Sequence, residues 1–179
     1  MIIGLTGYAR SGKDTVANIL VNNYGYTRVA FADKIRNLLV EMDPILENGH
    51  RLSSTLEEYG WDLAKAKPEV RRLLQTLGVG ARKVFGEGFW VHEAMKTMLN
   101  DPRPDMNYVV TDVRFLNEAN MVKANNGQIW RVKRIGVGAI NSHVSESEMD
   151  DYKVDQIFTN NGTIEDLELM VKTRMNGLK

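Results

Sequence analysis

An open, mostly parallel α/β sheet of five strands is the architecture this sequence predicts, on three observations. Five short apolar runs alternate with segments of helical period. The first run goes straight into a glycine-bearing turn, and the last third of the chain is punctuated strand, helix, strand, loop, strand, helix.

Taken in order, Met1–Thr6 suits a buried parallel strand, being apolar without alternation. Beyond the turn, Val16, Ile19 and Leu20 recur at helical spacing and Gly25 makes a stop. A second strand is expected at Thr27–Ala32, then a helix through Ile35, Leu38 and Leu39 to the Asp43-Pro44 break. Over residues 44–66 the apolar positions Leu52, Leu56, Trp61 and Leu63 keep no clean period, which reads as loop plus a weak helix. Val70, Leu73, Leu74 and Leu77 stand at i, i+3, i+4, i+7 and predict an amphipathic helix. Val91, Ala94, Met95 and Met98 repeat that pattern before the Asp101–Pro104 loop.

Tyr108–Asp112 reads as a strand, Phe115–Ala124 as a helix, and Gln128–Lys133 as a strand after the Gly127 turn. Residues 136–152 are polar and rich in Gly, Ser and Glu, a long loop or candidate lid with one helical turn at most. A last strand at Gln156–Thr159 leads through Asn160-Asn161-Gly162 to a final helix. Thr163 and Asp166 have the spacing of a capping box there, and Leu167, Met170 and Val171 supply its buried face. With no repeat or linker to split the chain, residues 1–179 are expected to form one domain.

Composition narrows the function classes. The chain is 43% hydrophobic and 26% charged with 4 Pro, which describes a folded rather than a disordered protein. Lys plus Arg equal Asp plus Glu at 23 each, so no global basic field attracts nucleic acid or anionic lipid. Any anion binding must be local. The absence of cysteine excludes disulfides, thiolate zinc sites and Cys nucleophiles together. No apolar run approaches a membrane span and no charged leader precedes one, so a cytoplasmic setting is expected.

The local anion site is Gly7-Tyr8-Ala9-Arg10-Ser11-Gly12-Lys13-Asp14-Thr15, which fits G-x-x-x-x-G-K and then places Asp where Ser or Thr is usual. Gly7 and Gly12 let the backbone turn tightly around phosphate oxygens. Successive loop N–H groups and the positive end of the following helix form an anion nest, which Arg10, Ser11 and Gly12 help to line. Lys13 then reaches the β- and γ-phosphates as a mobile point charge. Two Gly and one Lys at this spacing arise by chance in roughly one such chain in twenty. The strand before and the helix after raise the specificity. Asp14 is a candidate Mg²⁺ ligand, directly or through water, or a helix cap, and Thr15 keeps a hydroxyl for an α-phosphate oxygen.

The string Gly7–Thr15 resembles the phosphate loop of phage-type deoxynucleoside monophosphate kinases, and the likeness continues along the chain. Phe31–Arg36 resembles the segment after that family's second strand, and Arg71–Gly78 its Arg-x-x-x-Gln-x-x-Gly helix. Phe89-Trp90-Val91 resembles its aromatic step and Asp112–Glu118 its Asp-x-Arg…Glu motif. Val132–Gly136, Ser142–Glu146 and Asn160–Thr163 resemble its late elements. Two departures stand out: Val79 and Gly80 follow Gly78 where the family has Thr and an acidic residue, and the insertion after the second helix is short.

The resemblance implies a P-loop three-layer α/β/α fold around a central, mostly parallel five-stranded sheet. A helical acceptor-nucleotide-binding insertion would occupy about residues 44–100. The implied reaction transfers the γ-phosphoryl group of ATP, with Mg²⁺, to a deoxynucleoside monophosphate. Lys13, Arg72 and Asp112 would be catalytic, and Arg10–Thr15 with Arg134 would hold ATP. Arg36, Arg72, Gln75, Trp90, Asp112, Arg114 and Glu118 would hold the acceptor, with small nucleotides as the partners and a homodimer as the family's suggestion. If phage-encoded, the protein would work in the host cytoplasm.

By residue type alone several of these have plainer readings. Arg71, Arg72 and Gln75 lie opposite the leucines and suit a solvated face, and Arg36 suits surface charge. Asp112 suits a helix cap, Arg114 and Glu118 an i,i+4 ion pair, and Trp90 the core. His143 has no second partner at ligand spacing, so it makes no metal site. Two other functions compete. Dephospho-coenzyme A kinases share the N-terminal Ile3-Gly4-Leu5-Thr6-Gly7 pattern, though they carry Ser at the position of Asp14. A catalytically silent nucleotide-binding module would bind ATP without turnover.

Overall fold

The computed structural model describes residues 1–103, 105–140 and 143–178 and, of Glu146, the backbone alone. The chain divides into two compact units: Met1–Ala30 with Met95–Lys179, and Phe31–Ala94. The first carries the sheet and the second is helical.

The sheet unit holds five strands, β1 (Ile2–Thr6), β2 (Thr27–Val29), β3 (Tyr108–Val110), β4 (Gln128–Lys133) and β5 (Gln156–Thr159), in the order β2-β3-β1-β4-β5. Every pairing is parallel, so "mostly" becomes "all". β1 is central, with Ile3 opposite Val109 on one side and Gln128 on the other. The strands alternate as a sheet covered on both faces must. Ile3, Leu5, Trp130, Val132 and Phe158 join Val16 and Leu20 of α1 (Lys13–Tyr24) and Leu167 and Val171 of α7 (Ile164–Asn176) in one buried cluster. Gly4 and Ile129 turn the other way, toward Val122 of α6 (Leu116–Ala124). A Cβ on Gly4 would stand 2.8 Å from Ile129 Cδ1, 2.9 Å from Val113 Cγ2 and 3.2 Å from Val122 Cγ2, so the missing side chain is what lets these three close over β1. α1 and α7 on one face and α6 on the other make the three layers. The Thr163–Asp166 capping box is present, with both reciprocal hydrogen bonds.

Two strands are shorter than expected. β2 stops at Val29 because Phe31 already begins a helix, and β3 stops at Val110, leaving Asp112 in the following turn. Between residues 136 and 152 the one helical turn is a 3-10 turn at Val144–Glu146.

The helical unit contains α2 (Phe31–Met42), α3 (Leu52–Ala64), α4 (Pro68–Phe85) and the first part of α5 (Phe89–Leu99). The weak helix expected over 44–66 is in fact thirteen residues long, broken in phase by Gly60 at φ 66°, ψ 171°. Its N-terminus is capped from a distance, Asp43 accepting the Ser53 N–H at 2.8 Å and the Ser53 hydroxyl at 3.0 Å. α4 starts with Pro68 in its first turn and ends with Arg82 and Lys83, an arrangement that suits its dipole. Leu39, Leu46, Leu52 and Val70 form this unit's core, with Leu56, Trp61, Leu73, Leu74 and Leu77 half-buried against it.

Candidate active site

The loop between β1 and α1 has the shape its glycines foretell. Gly12 is the N-cap of α1 at φ 108° and, lacking a side chain, makes no side-chain cap, the form of helix start that suits an anion. Gly7 lies at φ 134°, where a Cβ would meet the Val132 carbonyl, and Arg10 takes a left-handed φ of 66°. Lys13 folds back across the loop, its Nζ donating to the Gly7 and Tyr8 carbonyls at 2.7 and 2.8 Å. That pose holds the ammonium over the nest rather than in solvent. Six of the expected ATP contacts, Arg10, Gly12, Lys13, Asp14, Thr15 and Arg134, border a single cavity of about 460 Å³. Its remaining wall is the turn between β5 and α7 with the first turn of α7. Ser11 differs: it is 1% exposed, and its Oγ lies buried without a hydrogen-bond partner beside a second cavity of about 350 Å³. Tyr8, Arg114 and Arg134 line that second space too, so Arg134 borders both.

Asp112 sits in a turn tied at both flanks. The Thr111 N–H donates to the Val29 carbonyl and the Val113 N–H to the Leu5 carbonyl, each at 3.0 Å. Glu118 is 3% exposed and its Oε2 accepts the N–H groups of Arg114 and Phe115 at 2.7 and 3.0 Å. The expected Arg114–Glu118 relation therefore runs through the Arg114 backbone, and the Glu118 carboxylate shapes the turn that carries Asp112 and Arg114.

The remaining acceptor candidates belong to the helical unit. On α2, Arg36 is 3.3 Å from Asp33, and its guanidinium stands 5.7 Å from the Trp61 ring centre. The Arg36 Nε is buried without a hydrogen-bond partner. Arg72 is exposed on α4 and Gln75 half-buried one turn on. Trp90 is 4% exposed and its Nε1 donates to the Gly78 carbonyl at 2.8 Å, so it is a strut between α5 and α4 with no open ring face.

Sequence reasoning passed over four side chains that organise the site. Asn160 donates from Nδ2 to the Ser11 carbonyl at 2.9 Å. The Tyr8 hydroxyl donates to Asp150 at 2.8 Å. Arg131 donates to the carbonyls of Met149, Asp150 and Tyr152, and Glu148 accepts the Leu116 N–H at 2.8 Å. Together these last three tie residues 148–152 to the phosphate loop, β4 and α6. His143 accepts the Ser145 N–H and caps the 3-10 turn. The lid expected at 136–152 falls in part on Asn141 and Ser142, which lie outside the described residues, as does the side chain of Glu146. Among the described residues no group of three or more His, Cys, Asp or Glu could hold a metal ion by itself. Nor is any described helix long and apolar enough to cross a membrane.

Comparison with known proteins bears on the family and the fold. A relative from Acanthamoeba polyphaga mimivirus, provisionally named a deoxynucleotide monophosphate kinase, is 29% identical over 93% of this chain and 91% of its own. The deoxynucleotide monophosphate kinase of Escherichia phage RB69 is 29% identical over 55% of this chain and 41% of its own. Among solved structures, dephospho-CoA kinase from Campylobacter jejuni superposes with a TM-score of 0.53 at 13% identity, covering 99% of this chain and 97% of that one. TT1252 from Thermus thermophilus gives 0.51 at 18%, covering 100% and 98%. Identities this low show a shared fold and leave the substrate to other arguments. The family model for deoxynucleotide monophosphate kinases matches residues 54–171, a span that begins after the phosphate loop and so adds to it independently. With that match over more than half its length, the chain belongs to the deoxynucleotide monophosphate kinase family.

Proposed function

We propose that the protein transfers the γ-phosphoryl group of ATP to a deoxynucleoside 5′-monophosphate, giving the diphosphate and ADP. The observation that carries this reading is Lys13 held over an uncapped helix N-terminus at the end of the central strand, in a chain of this family.

The chemistry asks little of side chains beyond position and charge. The acceptor phosphate has a second pKa of about 6 and is ionised at neutral pH, so an acceptor oxygen attacks without a general base. A bond forms from that oxygen to the γ-phosphorus and the bond to the β-bridging oxygen breaks, with no net proton exchanged. Lys13 and the loop N–H groups neutralise charge on the transferring group and on the leaving ADP. Arg134, at the border of both cavities, suits the donor's phosphates or its adenine. Arg72 is assigned the acceptor phosphate as a bidentate fork, with Arg36 as its companion and Gln75 at the base edge. Asp112 and Arg114 share a braced turn at the carboxyl end of β3, the side on which open α/β sheets bind ligands.

Mg²⁺ fits the donor set. This ion keeps several waters and takes one or two carboxylates beside substrate phosphates, and Asp14 with Thr15 borders the Lys13 cavity in that manner. Bound there with ATP, the ion would supply further charge neutralisation, with Asp14 as ligand or as anchor of its water shell. A cytoplasmic setting and a homodimer complete the reading, the latter decided by sedimentation equilibrium.

The test is a coupled assay with Mg-ATP and each common deoxynucleoside and ribonucleoside monophosphate, with dephospho-coenzyme A as control. Diphosphate from one or more deoxynucleotides is the expected result. Turnover of dephospho-coenzyme A alone, or of no acceptor by protein that still binds ATP, would overturn it.

A further inference from the structure

The turn after β5 holds the phosphate loop and the Arg134 segment at once. Asn160 is 9% exposed, and its Nδ2 donates to the Ser11 carbonyl at 2.9 Å. Its backbone N–H donates to the Lys133 carbonyl at 2.7 Å, and Asn161 Oδ1 accepts the Ile135 N–H at 2.9 Å. The peptide groups on either side of Arg134 are therefore both fixed by neighbouring asparagines. The Ser11 carbonyl matters for a different reason. It shares one planar peptide with the Gly12 N–H, and in a trans peptide the two point in opposite directions. Holding the carbonyl on Asn160 thus sets the direction of an amide in the anion nest. Gly12 fits the same device: a Cβ there would stand 2.2 Å from Asn160 Nδ2, so any side chain would evict the amide that orients the loop.

We infer that Asn160 is a positioning residue for the nucleoside triphosphate. It aims the Gly12 N–H at the donor's phosphates and, with Asn161, keeps Arg134 in register with the loop. This rests on the reading that Gly7–Thr15 binds the triphosphate. The decisive property is a donor N–H facing the Ser11 carbonyl, which a carboxylate of the same shape lacks.

The experiment compares wild type, Asn160→Asp and Asn160→Ser by calorimetric ATP titration and by KM for each substrate, with thermal melts of nucleotide-free protein. At about pH 7.5 the introduced carboxylate opposes a carbonyl oxygen, and ATP affinity should fall about tenfold or more while KM for the monophosphate stays within about twofold. Burial beside a carbonyl raises that carboxyl above its usual value near 4. By about pH 5.5 the protonated form donates again, so the ratio of variant to wild-type affinity should recover for Asn160→Asp and not for Asn160→Ser. If Asn160→Asp does not fold, Asn160→Ser carries the test through the split between the two KM values. ATP affinity unchanged in the folded variants, or equal loss toward both substrates, overturns the assignment. Wild-type protein that binds no ATP overturns the donor-site reading itself, and this inference falls with it.

Discussion

In the sheet unit Ile3, Leu5, Leu20, Val109, Trp130 and Val132 expose no surface, whereas among the described residues the helical unit closes completely only over the apolar side chains of Leu52, Ala64 and Val70. Half of its apolar stripe stays partly open, and Leu63, Val84 and Phe85 lie 62%, 74% and 67% exposed. The contrast follows from what each element can cover. A parallel strand is buried on two faces by the helices that flank it, while a helix hides one stripe and shows the rest. It bears on chemistry as well. The proposed donor groups sit on a loop braced by the buried Asn160 amide and by the Ser11 N–H on the Tyr8 carbonyl. The acceptor candidates Arg36, Arg72 and Gln75 are long side chains on more shallowly packed helices. Phosphoryl transfer needs the first kind of support at the transferring group, because a small misplacement of reacting atoms costs rate steeply.

The largest effect expected from this contrast is at Lys13. Lys13→Met should lower kcat by about two to three orders of magnitude with the fold retained, checked by steady-state kinetics beside circular dichroism. Activity near that of wild type would take the transferring group away from this loop. Next comes packing. Leu5→Ala should destabilise by about 2–5 kcal/mol in denaturant titration, because its cavity has no way to collapse. Leu73→Ala, cut from a half-open position, should cost about 1–2 kcal/mol. Equal losses would erase the difference between the units. Smaller again, Arg72→Ala should raise KM for the monophosphate about tenfold and leave that for ATP alone. Parallel weakening of both would move Arg72 out of the acceptor site.

The smallest effect belongs to the edge of the sheet unit and depends on pH. Burial raises the Asp155 carboxyl, but the Lys123 ammonium at 2.8 Å and the Ile129 N–H at 2.7 Å outweigh it, so its pKa lies below the usual value. A depressed folded-state pKa gives stability that is complete above the unfolded value near 4 and fades as pH falls through the folded one. Asp155→Asn should therefore melt a few degrees lower at neutral pH and converge with wild type in acid. A difference that persists unchanged into acid would assign the effect to packing instead of charge.

Features set by near neighbours were legible in the sequence. β4 and β5 have the bounds the sequence predicts for them, and the α7 capping box follows from two residues three apart. The phosphate loop was legible for the same reason, since its glycines and lysine act within one turn. α3 was not, because Gly60 shifts the helical phase midway and scatters Leu52, Leu56, Trp61 and Leu63 across two registers. β2 was overextended because Phe31 and Ala32 continue its apolar run while already belonging to α2. Asn160 escaped because its partner Ser11 is 149 residues away, and nothing in a polar turn announces a contact at that range. Trp61, placed over Arg36, followed the glycine that hid it.

Gly4 has a consequence that reaches beyond its own packing. A Cβ in the gap it leaves would force Ile129 and Val113 to shift, and its chain neighbours Ile3 and Leu5 carry far larger side chains than a methyl. If β1 slid by one residue in either direction, a branched side chain would be driven into that gap and the buried set would face the wrong layer. The central strand therefore has a single allowed stop, as a notched rule has, and the phosphate loop begins a fixed three residues beyond the notch. A glycine that touches no nucleotide thus determines the height at which Lys13 and the Gly12 amide emerge from the sheet. A one-residue slip would misplace them by about 3.3 Å, the rise of one residue in a parallel strand.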